Sequence, residues 1–133
     1  HFYRQATTDG SVRLFKSHRE DYEHGEQLRD FVYVDDIVDV CLFFGSEKPM
    51  SGIYNVGTGK ARTFNDVAKA VFKSIHYLEN IRYIDTPIKI RDKYQYITEA
   101  KINKLRSAGY SKPFCELEEG VEKYINKLTY ENC

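Results

Sequence analysis

The sequence has no long apolar run, no paired cysteine motif and no excess of charge of either sign. The longest uncharged apolar runs, such as Val40-Cys41-Leu42-Phe43-Phe44, are far too short to cross a bilayer, and no signal-peptide pattern opens the chain. A soluble, cytoplasmic protein with no membrane partner is therefore expected. Lysine plus arginine equals aspartate plus glutamate, 20 against 20, so no overall field attracts nucleic acid, and any basic site must be local. Cys41, Cys115 and Cys133 are odd in number and widely spaced without a CxxC pair, which excludes a disulfide framework and gives no zinc-ligand spacing. Cys41 reads as a small apolar residue inside a helix, and Cys133 as a free thiol in the tail. No repeat or low-complexity tract is present.

What is there suits one compact unit: 133 residues, 41% of them hydrophobic. The first residue is His1 rather than Met, and His1-Phe2-Tyr3-Arg4-Gln5-Ala6 reads as a helix already under way, so an earlier native start is expected. Val12 to Phe15 reads as a strand. Lys16 to Gln27 is too polar to pack and reads as an exposed loop. The β-branched and aromatic stretch Leu28 to Val34 predicts a strand that runs into Asp35-Asp36 as caps of a helix from Ile37 to about Gly45. In that helix Ile37, Val40, Cys41 and Phe44 share one face for burial.

Ser51 to Gly59 reads as a buried strand ending in a glycine-rich turn, with Asn55 closing the turn beside Gly57 and Gly59. Thr63 caps a helix whose Phe64, Val67, Ala68, Val71 and Phe72 form an apolar stripe. Ile81 to Ile84 is a further short strand. Tyr94 to Ile97 is extended, and Thr98 caps a helix that turns Ile102 and Leu105 inward and stops at Gly109. Leu117, Val121, Tyr124, Ile125 and Leu128 mark a last amphipathic helix. Strands and helices alternate throughout, which is an α/β pattern.

Two motifs in order, Arg29-Asp30-Phe31-Val32-Tyr33-Val34-Asp35-Asp36 and Tyr54-Asn55-Val56-Gly57-Thr58-Gly59, resemble the C-terminal half of the extended short-chain dehydrogenase/reductase enzymes that act on nucleotide sugars. Gly25 to Asp30, Lys93 to Ala100 and Leu105 to Phe114 are similar to the branch of that family whose substrate is an ADP-sugar. The resemblance covers essentially the whole chain. It implies that residues 1–133 are the substrate-binding C-terminal portion of an extended Rossmann-type, NADP-dependent epimerase, homo-oligomeric at full length, with the dinucleotide-binding half absent. Other nucleotide-sugar epimerases, dehydratases or reductases, and a non-catalytic binding domain of the same fold, remain alternatives.

Family chemistry depends on a glycine-rich phosphate turn after the first strand and on a Tyr-x-x-x-Lys pair. Neither occurs here: none of the eleven tyrosines has a lysine four residues on, and Gly57-Thr58-Gly59 lacks the third glycine of a dinucleotide fingerprint. The chain should therefore carry substrate-binding residues and no catalytic or cofactor-binding ones. An ADP-sugar needs an arginine fork for its diphosphate, an aromatic surface and short polar groups. The resemblance assigns these to His1, Phe15, Lys16, Ser17, His18, Arg29 and Tyr94. Arg29 would meet the diphosphate, although the residues alone allow a surface ion pair with Asp30 or Asp36. The family loop continues after its phenylalanine with an acidic residue and glycine, where this chain has Lys16 and Ser17 and a longer loop through Gly25. Backbone contacts there carry over more safely than side-chain ones. His1 aligns with a family histidine at the sugar-nucleotide site.

Overall fold

A computed structural model describes residues 1–130. Helix α1 (Phe2–Asp9) ends at Gly10, whose φ of 64° closes the helix in the left-handed region, and strand β1 (Val12–Phe15) follows at once. Strand β4 (Ile81–Ile84) lies parallel to β1, with Val12 opposite Ile81 and Phe15 opposite Ile84. Helix α3 (Phe64–Ser74) crosses over between them. A parallel pair requires such a crossover, and its apolar stripe packs on the pair as the sequence predicts. Ala6, Val12, Leu14, Ala68, Val71, Phe72 and Ile125 form one core cluster, with Ile125 contributed by α6 (Leu117–Tyr130). The start of α3 is a complete capping box: the Thr63 hydroxyl accepts the Asp66 N–H at 3.0 Å, and the Asp66 carboxylate accepts the Thr63 N–H at 3.2 Å.

A second, three-stranded ribbon carries the motif residues. Strand β2 (Leu28–Arg29) pairs antiparallel with β3 (Arg62–Thr63) and parallel with β5 (Ile97–Thr98). Beyond it, α2 (Val34–Glu47) and the short α5 (Asn103–Ser107) bury Val40, Leu105 and Tyr110, with Phe43, Phe44, Tyr54 and Phe114 packed around them. Helix α4 (Ile88–Arg91) completes the elements. Strands and helices alternate, and the architecture is α/β.

Several expectations are corrected. The strand from Leu28 ends at Arg29 and α2 begins at Val34; the Asp30 N–H still donates to Thr98 O at 2.9 Å, while its carboxylate bonds elsewhere. Asp35 and Asp36 are not caps: Tyr33 occupies the N-cap position with no side-chain bond. Asp35 instead pairs with Lys127 at 2.7 Å, and Asp36, buried, accepts the Cys115 N–H at 2.8 Å. The inner face of α2 presents Val40, Phe43 and Phe44, while Cys41 is exposed. Ser51 to Gly59 forms no strand, and Ile53 is 88% exposed.

Thr98 lies in β5 rather than capping a helix, and α5 starts only after Ile102; Gly109, at φ 104°, follows its end. In α6 Tyr124 points outward, 51% exposed, while Val121 and Ile125 pack inward. The thiol of Cys133 lies outside the described residues. Among the described residues no helix is long and apolar enough to cross a membrane.

Candidate functional site

Phe15, Arg29 and Tyr94 meet where β1 and β2 end and the chain approaches β5. The Phe15 and Tyr94 rings stand edge to face with centroids 6.0 Å apart, and the Arg29 guanidinium lies 5.5 Å from the Tyr94 centroid and 5.8 Å from that of Phe64. Both edge-to-face rings and a guanidinium over a ring are favourable arrangements. Neither expected carboxylate pairs with Arg29. One terminal nitrogen donates to the Leu28 carbonyl at 2.7 Å and the other to the Gln95 carbonyl. A guanidinium has five N–H donors, so two bonds to carbonyl oxygens hold the group in place without neutralising it. Burial raises the pKa of the Tyr94 hydroxyl, against the opposing charge of Arg29, so the phenol is neutral near pH 7.

The three residues after Phe15 are held chiefly through their backbone. The Lys16 N–H donates to Ile84 O at 2.9 Å and its carbonyl accepts the Thr86 hydroxyl at 3.1 Å. The Ser17 N–H donates to His24 Nδ1 at 3.1 Å, which makes that nitrogen the unprotonated one, and the His18 N–H donates to the Tyr96 hydroxyl at 2.9 Å. Among the side chains, the Ser17 hydroxyl closes a local turn by donating to Arg19 O at 2.9 Å. The Lys16 ammonium pairs with Asp85 at 3.1 Å and, by bonding it, lowers the Asp85 pKa. The loop is thus a built element rather than a solvated basic turn. Its far end is equally constrained: Gly25 adopts φ 78° with no room for a side chain, since an added Cβ would lie 2.2 Å from Asn65 Oδ1.

His1 is not brought to this cluster. Its ring Nε2 sits 2.7 Å from the Gln5 amide nitrogen, and it lines a separate apolar cleft of about 450 Å³ with Phe2, Phe31, Tyr33, Phe64 and Val121. Phe64 is the link between the two places. Its ring lies under Arg29 on one side and stands edge to face with Phe31, 5.4 Å away, on the other.

Sequence reasoning passed over the residue that organises the motifs, Asp30. Its Oδ1 accepts the Thr58 N–H at 2.8 Å and the Thr58 hydroxyl at 2.6 Å, and its Oδ2 accepts the Gly59 N–H at 2.9 Å and the Ala100 N–H at 3.1 Å. Burial would raise its pKa, but these bonds together hold the carboxyl below its ordinary value. Asp30 thereby closes the turn assigned to Asn55, which is exposed. Nothing local in the sequence joins positions 28 residues apart; an aspartate in the first motif and a glycine-rich turn in the second were the available signal.

The same bonds bear on cofactor binding. A pyrophosphate would need the free N–H groups of a glycine-rich turn, whereas those of Thr58 and Gly59 are already donated to a carboxylate that would repel it. The turn does not fit a dinucleotide. Among the described residues, no group of three or more His, Cys, Asp or Glu side chains is placed to hold a metal ion.

Comparison with known proteins gives this geometry a context. Residues 1–57 match the model of the NAD dependent epimerase/dehydratase family. The chain is 47% identical over 131 residues to an ADP-L-glycero-D-manno-heptose-6-epimerase of Fusobacterium nucleatum, an alignment that covers 94% of this chain and 40% of the relative. Among solved structures, the Helicobacter pylori ADP-L-glycero-D-manno-heptose-6-epimerase superposes with a TM-score of 0.75 at 27% identity, over 96% of this chain and 36% of that one. Thermus thermophilus UDP-glucose 4-epimerase, solved with NAD, gives 0.77 at 22% over 96% and 38%, a likeness of fold alone. The chain thus spans about 40% of the length of the curated relatives it matches. The chain is thus similar over its first 57 residues to the NAD dependent epimerase/dehydratase family, and over most of its length to part of the ADP-L-glycero-D-manno-heptose-6-epimerases.

Proposed function

We propose that residues 1–133 are the substrate-binding C-terminal portion of a cytoplasmic, NADP-dependent ADP-L-glycero-D-manno-heptose 6-epimerase, the enzyme that interconverts the D-glycero and L-glycero forms of ADP-manno-heptose for lipopolysaccharide core synthesis. The dinucleotide-binding half, with its phosphate turn and its tyrosine-lysine pair, precedes His1. The observation that carries this reading is the Phe15–Arg29–Tyr94 cluster, found in a chain 47% identical to an epimerase of that name.

The cluster's chemistry suits an ADP-sugar. Arg29 keeps further N–H donors for the diphosphate while its guanidinium is held by the Leu28 and Gln95 carbonyls, so little side-chain entropy is lost on binding. The Phe15 and Tyr94 rings offer an apolar surface to base or sugar, and the neutral Tyr94 hydroxyl can donate to a ligand oxygen. The loop from Lys16 to His18, anchored chiefly through its backbone, supplies a wall. His1, at the N-cap of α1, contributes from the neighbouring cleft across Phe64. The role of this portion is orientation: fixing diphosphate and nucleoside sets where C6 of the heptose lies, and positioning of this kind contributes several kcal/mol to catalysis. NADP belongs to the other half, and no residue described here is assigned to it.

The full-length enzyme is further proposed to be a homo-oligomer. Val34, Val38 and Leu42 form an exposed apolar stripe at helical spacing along α2, a surface suited to association. Calorimetric binding to the intact enzyme tests the substrate assignment. ADP-D-glycero-manno-heptose is expected to bind about tenfold or more tightly than UDP-glucose. Equal or reversed affinities would assign the chain to another nucleotide-sugar enzyme of the same family.

A further inference from the structure

Tyr96 and Tyr110 are the buried tyrosines among the described residues, and Tyr96 lies beside the candidate site. It stands two residues beyond Tyr94, immediately before β5, with its ring buried against three partners. Tyr22 lies 5.0 Å away, Tyr94 lies 5.8 Å away edge to face, and the Arg19 guanidinium lies 5.0 Å above it. Arg19 is at the same time 5.3 Å from the Tyr22 ring and is held by Asp21 through two bonds, one of 2.8 Å. Tyr22, Arg19 and Asp21 all belong to the 16–25 loop, which folds back onto Tyr96 through the Tyr22 ring and the Arg19 guanidinium.

The polar end of Tyr96 completes the contact. Its hydroxyl accepts the His18 N–H at 2.9 Å, across 78 positions of sequence. The segment 94–96 thus fixes three things with three successive residues. Tyr94 packs on Phe15 and Arg29, the Gln95 carbonyl accepts from Arg29, and Tyr96 ties down the loop that follows Phe15. The loop and the arginine cannot shift relative to one another without breaking a bond to this segment.

We propose that Tyr96 is a positioning residue for the substrate site, which locks the 16–18 backbone and the long loop behind it against the Phe15–Arg29–Tyr94 cluster and so sets affinity for the diphosphate sugar. The inference rests on the substrate reading above. Tyr96 touches no ligand itself; its action passes through His18 and Tyr94. Tyr96→Phe keeps the ring, with its contacts to Tyr22 and Arg19, and removes only the acceptor for His18.

The test compares Tyr96→Phe and Arg29→Ala with the parent in the intact enzyme, measuring KM for ADP-heptose, kcat, KM for NADP and the melting temperature. For Tyr96→Phe the expected result is a KM for ADP-heptose raised about three- to tenfold, in line with loss of one neutral hydrogen bond, with the other three quantities unchanged. Tyr96→Ala, which also frees the loop, should raise it further. An unchanged KM in Tyr96→Phe overturns the inference, as does a rise that comes only with a lowered melting temperature and a lowered kcat, the mark of a purely structural tyrosine. Arg29→Ala separates the two levels. If it raises the KM while Tyr96→Phe does not, the substrate site stands and the positioning role falls. If neither variant moves the KM, the substrate reading falls as well.

Discussion

Asp30 and Thr58 are joined twice through one oxygen: the Asp30 Oδ1 atom accepts both the backbone N–H and the hydroxyl of Thr58, while its second oxygen reaches Gly59 and Ala100. One carboxylate therefore fastens the first motif to the glycine turn of the second and to Ala100, two residues beyond β5. Gly57 is small for this reason. A Cβ there would lie 2.6 Å from Asp30 Oδ2 and 2.7 Å from the Ala100 Cβ.

Replacing the carboxylate should be costly. Asp30→Asn turns an amide N–H₂ toward backbone donors that have no other acceptor, and a loss of about 2–4 kcal/mol in unfolding free energy is expected. Gly57→Ala should cost about 1–3 kcal/mol by pushing Asp30 and Ala100 apart. Urea denaturation midpoints measure both, and wild-type midpoints would show that the turn is held by something else.

The acid stability of the protein follows from the same group. The bonds that Asp30 and Asp66 accept hold both carboxyls below their ordinary values, Asp30 through Thr58, Ala100 and Gly59, and Asp66 through Arg62 and the Thr63 N–H. A carboxyl with a depressed folded-state pKa contributes stability that is fully present above its unfolded value, near 4, and is lost as pH falls through the folded value. Unfolding free energy should therefore be flat from about pH 7 to 5 and fall below about pH 4. Asp30→Asn and Asp66→Asn should each shallow that fall, and a variant with an unaltered acid limb would remove its residue from the account.

Much of the fold was legible in residue pattern because it depended on local chemistry. The Thr63 cap, the apolar stripe of α3 and the β1 and β4 strands each follow from neighbours within a turn or two. The errors lie where a distant partner decided the outcome. The Asp30 carboxylate bonds a turn 28 residues on, Asp36 was taken by the Cys115 N–H rather than by its own helix, and Thr98 paired in β5 beside Arg29. For the site, the sequence and its resemblance singled out Phe15, Arg29 and Tyr94, which the structure brings together. The long loop is exposed from His18 to Asp21 as read, but the bonds that fix its backbone to Tyr96 and Asn65 come from partners that no window of sequence contains.

A polypeptide of residues 1–133 alone should bind apolar dye and self-associate. The Phe2–Phe31–Val121 cleft and the Val34–Val38–Leu42 stripe leave apolar surface open, and Leu78 and Ile88 add to it at 93% and 80% exposure. Size-exclusion chromatography with dye fluorescence reads this directly. A compact monomer that melts cooperatively without taking up dye would show that these faces are ordinary solvent surface. The same preparation should show no epimerase turnover, since neither a phosphate turn nor a Tyr-x-x-x-Lys pair is present in it.

The central claim is that Arg29 meets the diphosphate of an ADP-sugar, and steady-state kinetics of Arg29→Ala and Arg29→Lys in the intact enzyme test it most directly. A charge-assisted, two-pronged contact is worth about 1.5–3 kcal/mol, so Arg29→Ala should raise the KM for ADP-heptose about ten- to hundredfold, with the KM for NADP unchanged. Arg29→Lys should recover only part of that, because an ammonium cannot reproduce the fork. A KM for ADP-heptose that stays at the parent value in Arg29→Ala would contradict the account and leave Arg29 as a residue that only braces the Leu28 and Gln95 carbonyls.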